Sequence, residues 1–277
     1  MTIKSILAVS EGGPDAMMSF RLAGRVADLF EGAVDALHLP VGAIADATAG
    51  LAMSGEAIPM AMAADDERMD ARAAESGRAY KELLNGARGG TYTATDTATL
   101  DALVAMGRCS DLVVLGRPGA DPENVAPATV EAALFECARP VMVAPPDSGS
   151  GEFGAIVVAW NGSFQAARAV QYALPFMLKA SKVTLLVMGT TPDDVGAAYL
   201  ARNLGRQGID AAVDAINPGT ASGRARGRAL LAYTHDKGAD LLVMGAYGRG
   251  QVMSFLGLGG ATGKVISSCR VPLLMAH

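Results

Sequence analysis

A glycine-rich stretch at residues 244–264 carries the residues best suited to chemistry, and it directly follows the apolar run Asp240–Met244. The glycines that fit a phosphate loop are Gly245, Gly248, Gly257, Gly259 and Gly260. Residues 261–269 then have the composition of a helix. This order of elements, a strand, a glycine-rich loop and a helix N-terminus, favours the binding of an anion. Backbone N–H groups of the loop can approach the anion closely, and the helix dipole attracts negative charge. The spacing predicts a phosphate site, with ordinary turns and helix caps as the alternative.

The composition is typical of a folded chain rather than a disordered one. The chain has 277 residues, of which 51% are hydrophobic and 18% charged, and this length favours about two domains. The net charge is −5 without a basic stripe, so we expect no nucleic-acid partner. Apolar runs are shorter than the roughly 20 residues that cross a membrane. Because the first residues also enter a strand pattern directly, we expect no membrane partner and a cytoplasmic location.

Cysteine and histidine are too sparse to suggest a metal site or a catalytic triad. Cys109, Cys137 and Cys269 lie far apart in sequence and lack metal-type spacing. We expect all three to be buried as small apolar residues. The histidines have no local partner motif, so the sequence predicts no metal ion and disfavours hydrolysis by histidine-based acid–base chemistry.

The chain repeats one strand-and-helix pattern. Apolar segments at 3–10, 33–39, 111–116 and 137–143 recur in the same order at 154–160, 182–188, 240–245 and 269–275. This order predicts a tandem duplication with domains at 1–146 and 152–277, joined by a linker rich in Pro, Ser and Gly. Strands that alternate with helices predict an α/β fold. We expect two tandem open parallel five-stranded sheets with helices on both faces.

The elements of the second half can be placed approximately. We expect its strands at about 154–160, 182–188, 209–215, 240–245 and 271–275. Its helices should begin near Ser163, at Thr191–Pro192 and near Ser222, where residues suited to capping occur. The first half contains an additional Ala- and Met-rich insertion at 40–72 and a helix predicted at 63–85. We expect this addition to pack on its own domain, with a lid or a partner surface as alternatives.

Several motifs resemble those of universal stress proteins. The family's mark is a glycine, two residues, a second glycine, nine residues, and then a glycine followed by Ser or Thr, after the fourth strand. Met244–Gly248 and Leu258–Gly260 are similar to that mark, and Val271–Leu274 is similar to the strand that follows it. Ala159–Ser163 is similar to the family's first loop. The resemblance extends over both copies, apart from the insertion, and implies a Rossmann-like fold of the adenine-nucleotide-alpha-hydrolase type.

The resemblance implies that the second half binds ATP, with or without Mg²⁺, and serves a regulatory or stress-response role. Adenine would lie beside Asn161, whose amide offers a donor and an acceptor, and against the apolar wall of Val187. The phosphates would lie on the glycine loop at Gly259 and Gly260. The positions carried over, with Arg249 added as a candidate phosphate contact, are Ala159, Trp160, Asn161, Val187, Met244, Gly245, Tyr247, Gly248, Arg249, Gly259, Gly260 and Ala261.

Three positions depart from the family's pattern and leave an alternative open. Asn161 stands where the family usually has Asp, and Gly260 replaces the Ser or Thr whose hydroxyl would meet a phosphate. The segment between Gly248 and Gly259 is one residue longer than in the family. The alternative is a stress-protein scaffold that binds no nucleotide and acts through protein–protein interaction. No general base is evident beside the loop, so we expect no catalytic residues, and a slow ATPase ranks lowest.

The first half is expected to have lost the site. Gly116 and Gly119 keep the glycine pair, but Pro118 between them removes a backbone donor. Glu11 takes the adenine-reading position, and the acidic stretch 121–123 would repel phosphate. We predict that this half binds no nucleotide and serves as a pseudo-twofold partner. The apolar last strands of the two halves would then pair edge to edge within one chain, and the pairing of two chains is left open.

Overall fold

The computed structural model describes residues 2–12, 14–40, 57–84, 89–95, 99–119, 124–146, 152–219, 222–247 and 260–277. Within these ranges the chain divides into two compact units, Ile3–Arg139 and Pro140–His277. We call them the first and the second unit. No helix in the described ranges combines the length and the apolar character needed to cross a membrane.

The described ranges of the first unit contain four parallel strands. Its elements are β1 (Ser5–Ser10), α1 (Pro14–Phe30), β2 (Ala33–His38), α2 (Ala57–Leu83), β3 (Tyr92–Ala94), α3 (Asp101–Cys109), β4 (Leu112–Leu115) and α4 (Pro127–Glu136). The strand order is β3-β2-β1-β4, and each neighbouring pair is parallel. Strand β1 is central, and its Ile6, Leu7 and Ala8 are all 0% exposed. A run that is apolar at consecutive positions is typical of a parallel strand covered on both faces.

The residues described in the second unit form five parallel strands and one antiparallel strand. Its elements are β5 (Val141–Val143), β6 (Ala155–Trp160), α5 (Phe164–Met177), β7 (Lys182–Met188), α6 (Ala197–Gly205), β8 (Ala211–Ile216), α7 (Gly223–Asp236), β9 (Leu241–Gly245), α8 (Gly260–Ser268) and β10 (Leu273–Ala276). The order is β5-β10-β9-β6-β7-β8. Strands β6 to β10 pair in parallel. The predicted α/β fold is confirmed, and the second unit contains the predicted five-stranded parallel sheet.

The last strands of the two sequence repeats pair with each other, as predicted. Strand β5 runs antiparallel to β10, with Val143 opposite Leu273 and Val141 opposite Met275. Each strand thereby satisfies backbone groups that would otherwise be exposed at an edge. Strand β5 consequently belongs to the second unit by its contacts, although it ends the first sequence repeat. Most of the predicted linker, at 147–151, lies outside the described residues, so the predicted domain boundary stays a prediction.

Two of the predicted helix starts in the second unit are confirmed by their caps. The Ser163 side chain accepts a hydrogen bond from the Ala166 N–H at 3.2 Å and begins α5. The Ser222 side chain accepts from the Ala225 N–H at 3.4 Å and begins α7. Both serines satisfy a backbone donor that the first turn of a helix leaves without an intrahelical partner. Local sequence chemistry therefore determines where α5 and α7 start.

The helix predicted to begin at Thr191 begins instead at Ala197, so that prediction is wrong. The carboxylate of Asp194 accepts hydrogen bonds from the Thr190 hydroxyl at 2.8 Å and from the Thr191 N–H at 3.2 Å. These bonds form a turn that competes with a helix. Gly196 then adopts a left-handed conformation with φ 64°, which ends the turn and starts α6.

The helix predicted at 63–85 is α2, which begins earlier, at Ala57. The Tyr92 hydroxyl of β3 donates to the Ala73 carbonyl at 3.2 Å, and the Tyr80 hydroxyl of α2 donates to the Gly90 carbonyl at 2.8 Å. These two bonds hold the C-terminal part of α2 on the first unit, and the packing of the insertion at 40–72 stays a prediction. Residues 41–56 of the insertion lie outside the described residues.

One cysteine prediction is wrong. Cys137 and Cys269 are buried, as expected, but Cys109 is exposed. The buried face of α3 is defined by Leu103 and Gly107, which lie one helical turn apart. Cys109 comes two positions after Gly107 and therefore lies on the other side of the helix.

Candidate functional site

The predicted site lies where the carboxyl ends of β6 and β9 meet. In the order β10-β9-β6-β7-β8 the chain moves outward from β6 to β7 and β8, and then returns to β9 on the other side of β6. This is a topological switch point, and open parallel sheets bind ligands in the crevice that forms there. Ala159 of β6 is the register partner of Met244 of β9, so the two predicted segments are neighbours. We call this place the β6/β9 crevice.

The loop after β6 is folded tightly against the segment that follows β7. The Trp160 indole N–H donates to the Val195 carbonyl at 2.7 Å. Gly162 has φ 71°, and a Cβ atom there would lie 3.3 Å from the Cβ of Val195. The Asn161 Oδ1 accepts the Ser163 N–H at 3.1 Å, which closes a small turn before α5. Asn161 is exposed, so its side chain is accessible from solvent.

Gly245 is explained by packing. A Cβ atom at this position would lie 2.5 Å from the Ala166 backbone nitrogen and 2.7 Å from the Gln165 carbonyl carbon. These are backbone atoms in the first turn of α5, so they cannot move aside cheaply. Strand β9 therefore approaches α5 so closely that only glycine fits, and the turn-or-packing alternative accounts for this residue without a phosphate.

A buried glutamine positions the chain just after β9. The Gln165 Nε2 donates to the Tyr247 carbonyl at 3.2 Å, and the two residues are only 3% and 4% exposed. Tyr247 has φ 48°, a left-handed conformation that is uncommon for a residue with a side chain. Sequence reasoning missed Gln165, whose one signal was a polar residue among the apolar positions of α5.

The N-terminus of α8 lies at the same edge of the sheet as the crevice. Helix α8 connects β9 to its parallel neighbour β10, so it runs back along the sheet and begins at the carboxyl ends of the strands. Its first residue, Gly260, has φ 80° and packs on α7, where a Cβ atom at Gly223 would lie 3.0 Å from the Gly260 Cα. A Cβ atom at Gly227 would lie 2.9 Å from the Ala261 carbonyl oxygen. Close packing of two helices therefore accounts for Gly223 and Gly227, and the left-handed φ of Gly260 accounts for the glycine at that position.

The structure brings one group of the predicted site residues together and leaves others apart. Ala159, Trp160 and Asn161 neighbour Met244 and Gly245 across the paired ends of β6 and β9. Val187 ends up 0% exposed inside the sheet, so an adenine contact with its side chain stays a prediction. The phosphate loop positions Gly248, Arg249 and Gly259 lie outside the described residues, and their fit to a phosphate also stays a prediction.

A cavity of about 290 Å³ occurs elsewhere in the second unit. It lies between the end of α7 and the end of α8, and its lining includes His235, Cys269 and Arg270. These helix ends are at the amino edge of the strands, opposite the β6/β9 crevice, so the cavity is separate from the predicted site. Among the residues that the structure describes, no three His, Cys, Asp or Glu side chains are grouped as a metal site requires.

Comparison with solved structures identifies the fold. A crystal structure of a universal stress protein from Archaeoglobus fulgidus DSM 4304 is similar to 98% of this chain over 97% of its own length, with a TM-score of 0.69 and 17% sequence identity. This chain has the universal stress protein fold. The crystal structure of a functionally unknown protein from Pseudomonas aeruginosa PAO1 is also similar, with a TM-score of 0.52 and 13% identity over 98% of this chain and 92% of that chain.

The likeness is one of structure rather than of sequence. No protein-family model matches the chain, and no curated protein matches it in sequence. The resemblance inferred from the glycine motifs is thus confirmed at the level of the fold.

Proposed function

We propose that this protein is a cytoplasmic universal stress protein that binds an adenine nucleotide, ATP, in its second unit and has a regulatory role. The proposal depends mainly on one edge of the sheet in the second unit, where the carboxyl ends of its parallel strands lie. The ends of β6 and β9 meet there at a topological switch point, and α8 begins at the same edge. An open switch point beside a helix N-terminus suits a ligand that joins a flat base to a chain of phosphates.

Each end of the crevice offers a different chemistry. At the β6 end, the Asn161 Nδ2 can donate to an adenine nitrogen, and the half-buried Trp160 offers an aromatic surface. At the α8 end, the first backbone N–H groups of the helix and the positive end of its dipole favour phosphate oxygens. The adenine would therefore lie beside β6 and the phosphates would lie toward Gly260. Mg²⁺ would accompany the phosphates rather than occupy a site made by side chains.

The alternative is a stress-protein scaffold that binds no nucleotide. Local structure favours it, because Gly245 is required by close backbone contact with α5 and Gly260 has a left-handed φ of 80° that suits glycine. Neither glycine therefore needs a phosphate to account for its presence. In this alternative the protein acts through protein–protein interaction, and added ATP neither binds nor stabilises it.

The single tryptophan of the chain separates the two functions. Trp160 lies at the crevice, so its fluorescence reports on a ligand there without a label. We expect a saturable change in emission when the full-length protein is titrated with ATP and Mg²⁺, with the same midpoint in equilibrium dialysis. The scaffold alternative predicts no change in emission and no retained nucleotide.

Replacing Asn161 with alanine tests where the base lies. The variant loses the proposed donor to adenine, and we expect ATP affinity to fall about 3- to 10-fold, as for the loss of one hydrogen bond. The matched control is Asn217→Ala, because the Asn217 Oδ1 makes the same type of turn with the Gly219 N–H at 2.9 Å after β8. Equal ATP affinity in both variants would remove Asn161 from the site.

A further inference from the structure

We propose that the Glu11 carboxylate of the first unit occupies the N-terminus of α4 in place of a bound anion and thereby prevents a nucleotide from binding there. Helix α4 follows β4 as α8 follows β9, so its N-terminus corresponds to the phosphate end of the β6/β9 crevice. The inference concerns the first unit only. It holds whether or not the second unit binds ATP.

Both carboxylate oxygens of Glu11 are engaged at the start of α4. Oε2 accepts the Ala126 N–H at 3.0 Å, and Oε1 accepts the Thr129 hydroxyl at 2.5 Å. Glu11 directly follows β1, and β1 is paired in parallel with β4. The carboxyl ends of β1 and β4 therefore bring the carboxylate and the helix N-terminus together, although they are 115 residues apart in sequence.

Helix α4 has no cap of its own. Its N-cap residue is Ala126, which offers no side-chain acceptor, and Pro127 follows at the first turn. The first N–H groups of a helix lack intrahelical partners and favour a negative charge. Glu11 supplies the missing acceptor and the charge, as a bound phosphate would.

The contact is buried and therefore built into the fold. Glu11 is 5% exposed and Thr129 is 0% exposed. Burial raises the pKa of Glu11, while its hydrogen bonds to Thr129 and Ala126 and the charge of Arg72 act in the opposite direction. A carboxyl group is seldom kept at such a depth unless its oxygens are bonded, and here both are.

Helix α2 holds the same loop from another direction. The Arg72 Nε donates to the Glu11 carbonyl at 2.8 Å. Gly12 has φ 82°, and a Cβ atom there would lie 2.5 Å from both the Cβ and the carbonyl oxygen of Arg72. The backbone of α2 thus lies directly on the loop after β1. The loop is fixed between α2 and α4, which holds its carboxylate in place.

Amide hydrogen exchange in the full-length protein tests this contact. The Glu11→Ala variant lacks a group of the size of acetate, so added acetate can fill the space and restore the acceptor. Chloride at equal ionic strength is the control for the added salt. We expect exchange in the 124–136 segment to become about tenfold faster in chloride, since a buried donor loses its acceptor. Acetate should slow it again in this variant and have no effect on the wild-type protein.

Glu11→Gln is the matched control variant. Its amide oxygen still accepts from Ala126 but its negative charge is lost, so we expect exchange between that of the wild type and that of Glu11→Ala, and no response to acetate. If Glu11→Ala does not fold, Glu11→Asp carries the test, because its carboxylate is one methylene too short and should also speed exchange in this segment.

Two results would overturn the inference. One is wild-type exchange at residues 124–136 in the folded alanine or aspartate variant. The other is a nucleotide bound in the first unit of the wild-type protein, seen in a crystal structure grown with ATP and Mg²⁺. Retention of no ATP at all, together with faster exchange in Glu11→Ala, would contradict the proposed function and support this inference.

Discussion

Replacing Gly245 with alanine should destabilise the second unit by about 1–3 kcal/mol, the usual cost of forcing an extra methyl group into a packed site. The added Cβ would lie 2.5 Å from the Ala166 nitrogen and 2.8 Å from the Gln165 Cβ. Ordinary contacts begin near 3.4 Å, so strand β9 and helix α5 must separate by several tenths of an ångström. The effect arises from packing and should therefore occur without nucleotide.

Urea unfolding followed by Trp160 fluorescence measures this loss, because the single tryptophan lies in the second unit. With a slope of about 2 kcal/mol per molar urea, the midpoint should fall by roughly 0.5–1.5 M. Gly154→Ala is the matched control, since a Cβ atom there would lie 3.5 Å from the Asp240 Oδ2 and 3.7 Å from the Ser181 Oγ, at ordinary contact distances. Equal midpoints for the two variants would refute the packing explanation of Gly245.

Two further predictions concern hydrogen bonding and pH. Tyr233→Phe removes the hydroxyl that donates to the Asp214 Oδ2 at 2.6 Å, so we expect a loss of about 1 kcal/mol in urea unfolding. That bond is the largest cause of the lowered pKa of Asp214, so this pKa, measured by NMR, should rise in the variant; an unchanged pKa would exclude the bond. Burial, assisted by the charge of Arg72, lowers the pKa of His38 from 6.5 to about 4. As pH falls, His38 is protonated in the unfolded chain before it is protonated in the folded chain, so the first unit should lose stability between pH 6.5 and pH 4. The variant His38→Gln should lose less stability over this range. The same pH dependence of unfolding in the variant and the wild type would contradict this prediction.

The order of strands and helices could be predicted from apolar runs and their spacing. Strand β7 was predicted at 182–188 and is observed at Lys182–Met188. The edge strand β8 was predicted two residues too early, because the apolar Ile209 is buried before the strand begins. Apolar residues in the sequence indicate which positions are buried. The first residue of a strand is set instead by its backbone hydrogen bonds to the neighbouring strand, which the sequence does not show.

The contacts of the candidate site could not be predicted, because its partners are distant in sequence. Gln165 and Tyr247 are 82 residues apart, and their bond is visible only once β9 lies against α5. Glycine spacing likewise did not show that Gly245 is required by the backbone of α5. The sequence places Glu11 at the adenine-reading position, but its role as the acceptor for α4 depends on the pairing of β1 with β4.

The most direct test of nucleotide binding is a crystal structure of the full-length protein grown with ATP and Mg²⁺. We expect one nucleotide, in the second unit only, with its base beside Trp160 and Asn161 and its phosphates at the start of α8 near Gly260. A nucleotide bound in the first unit instead, or an empty β6/β9 crevice at saturating ATP, would contradict this assignment.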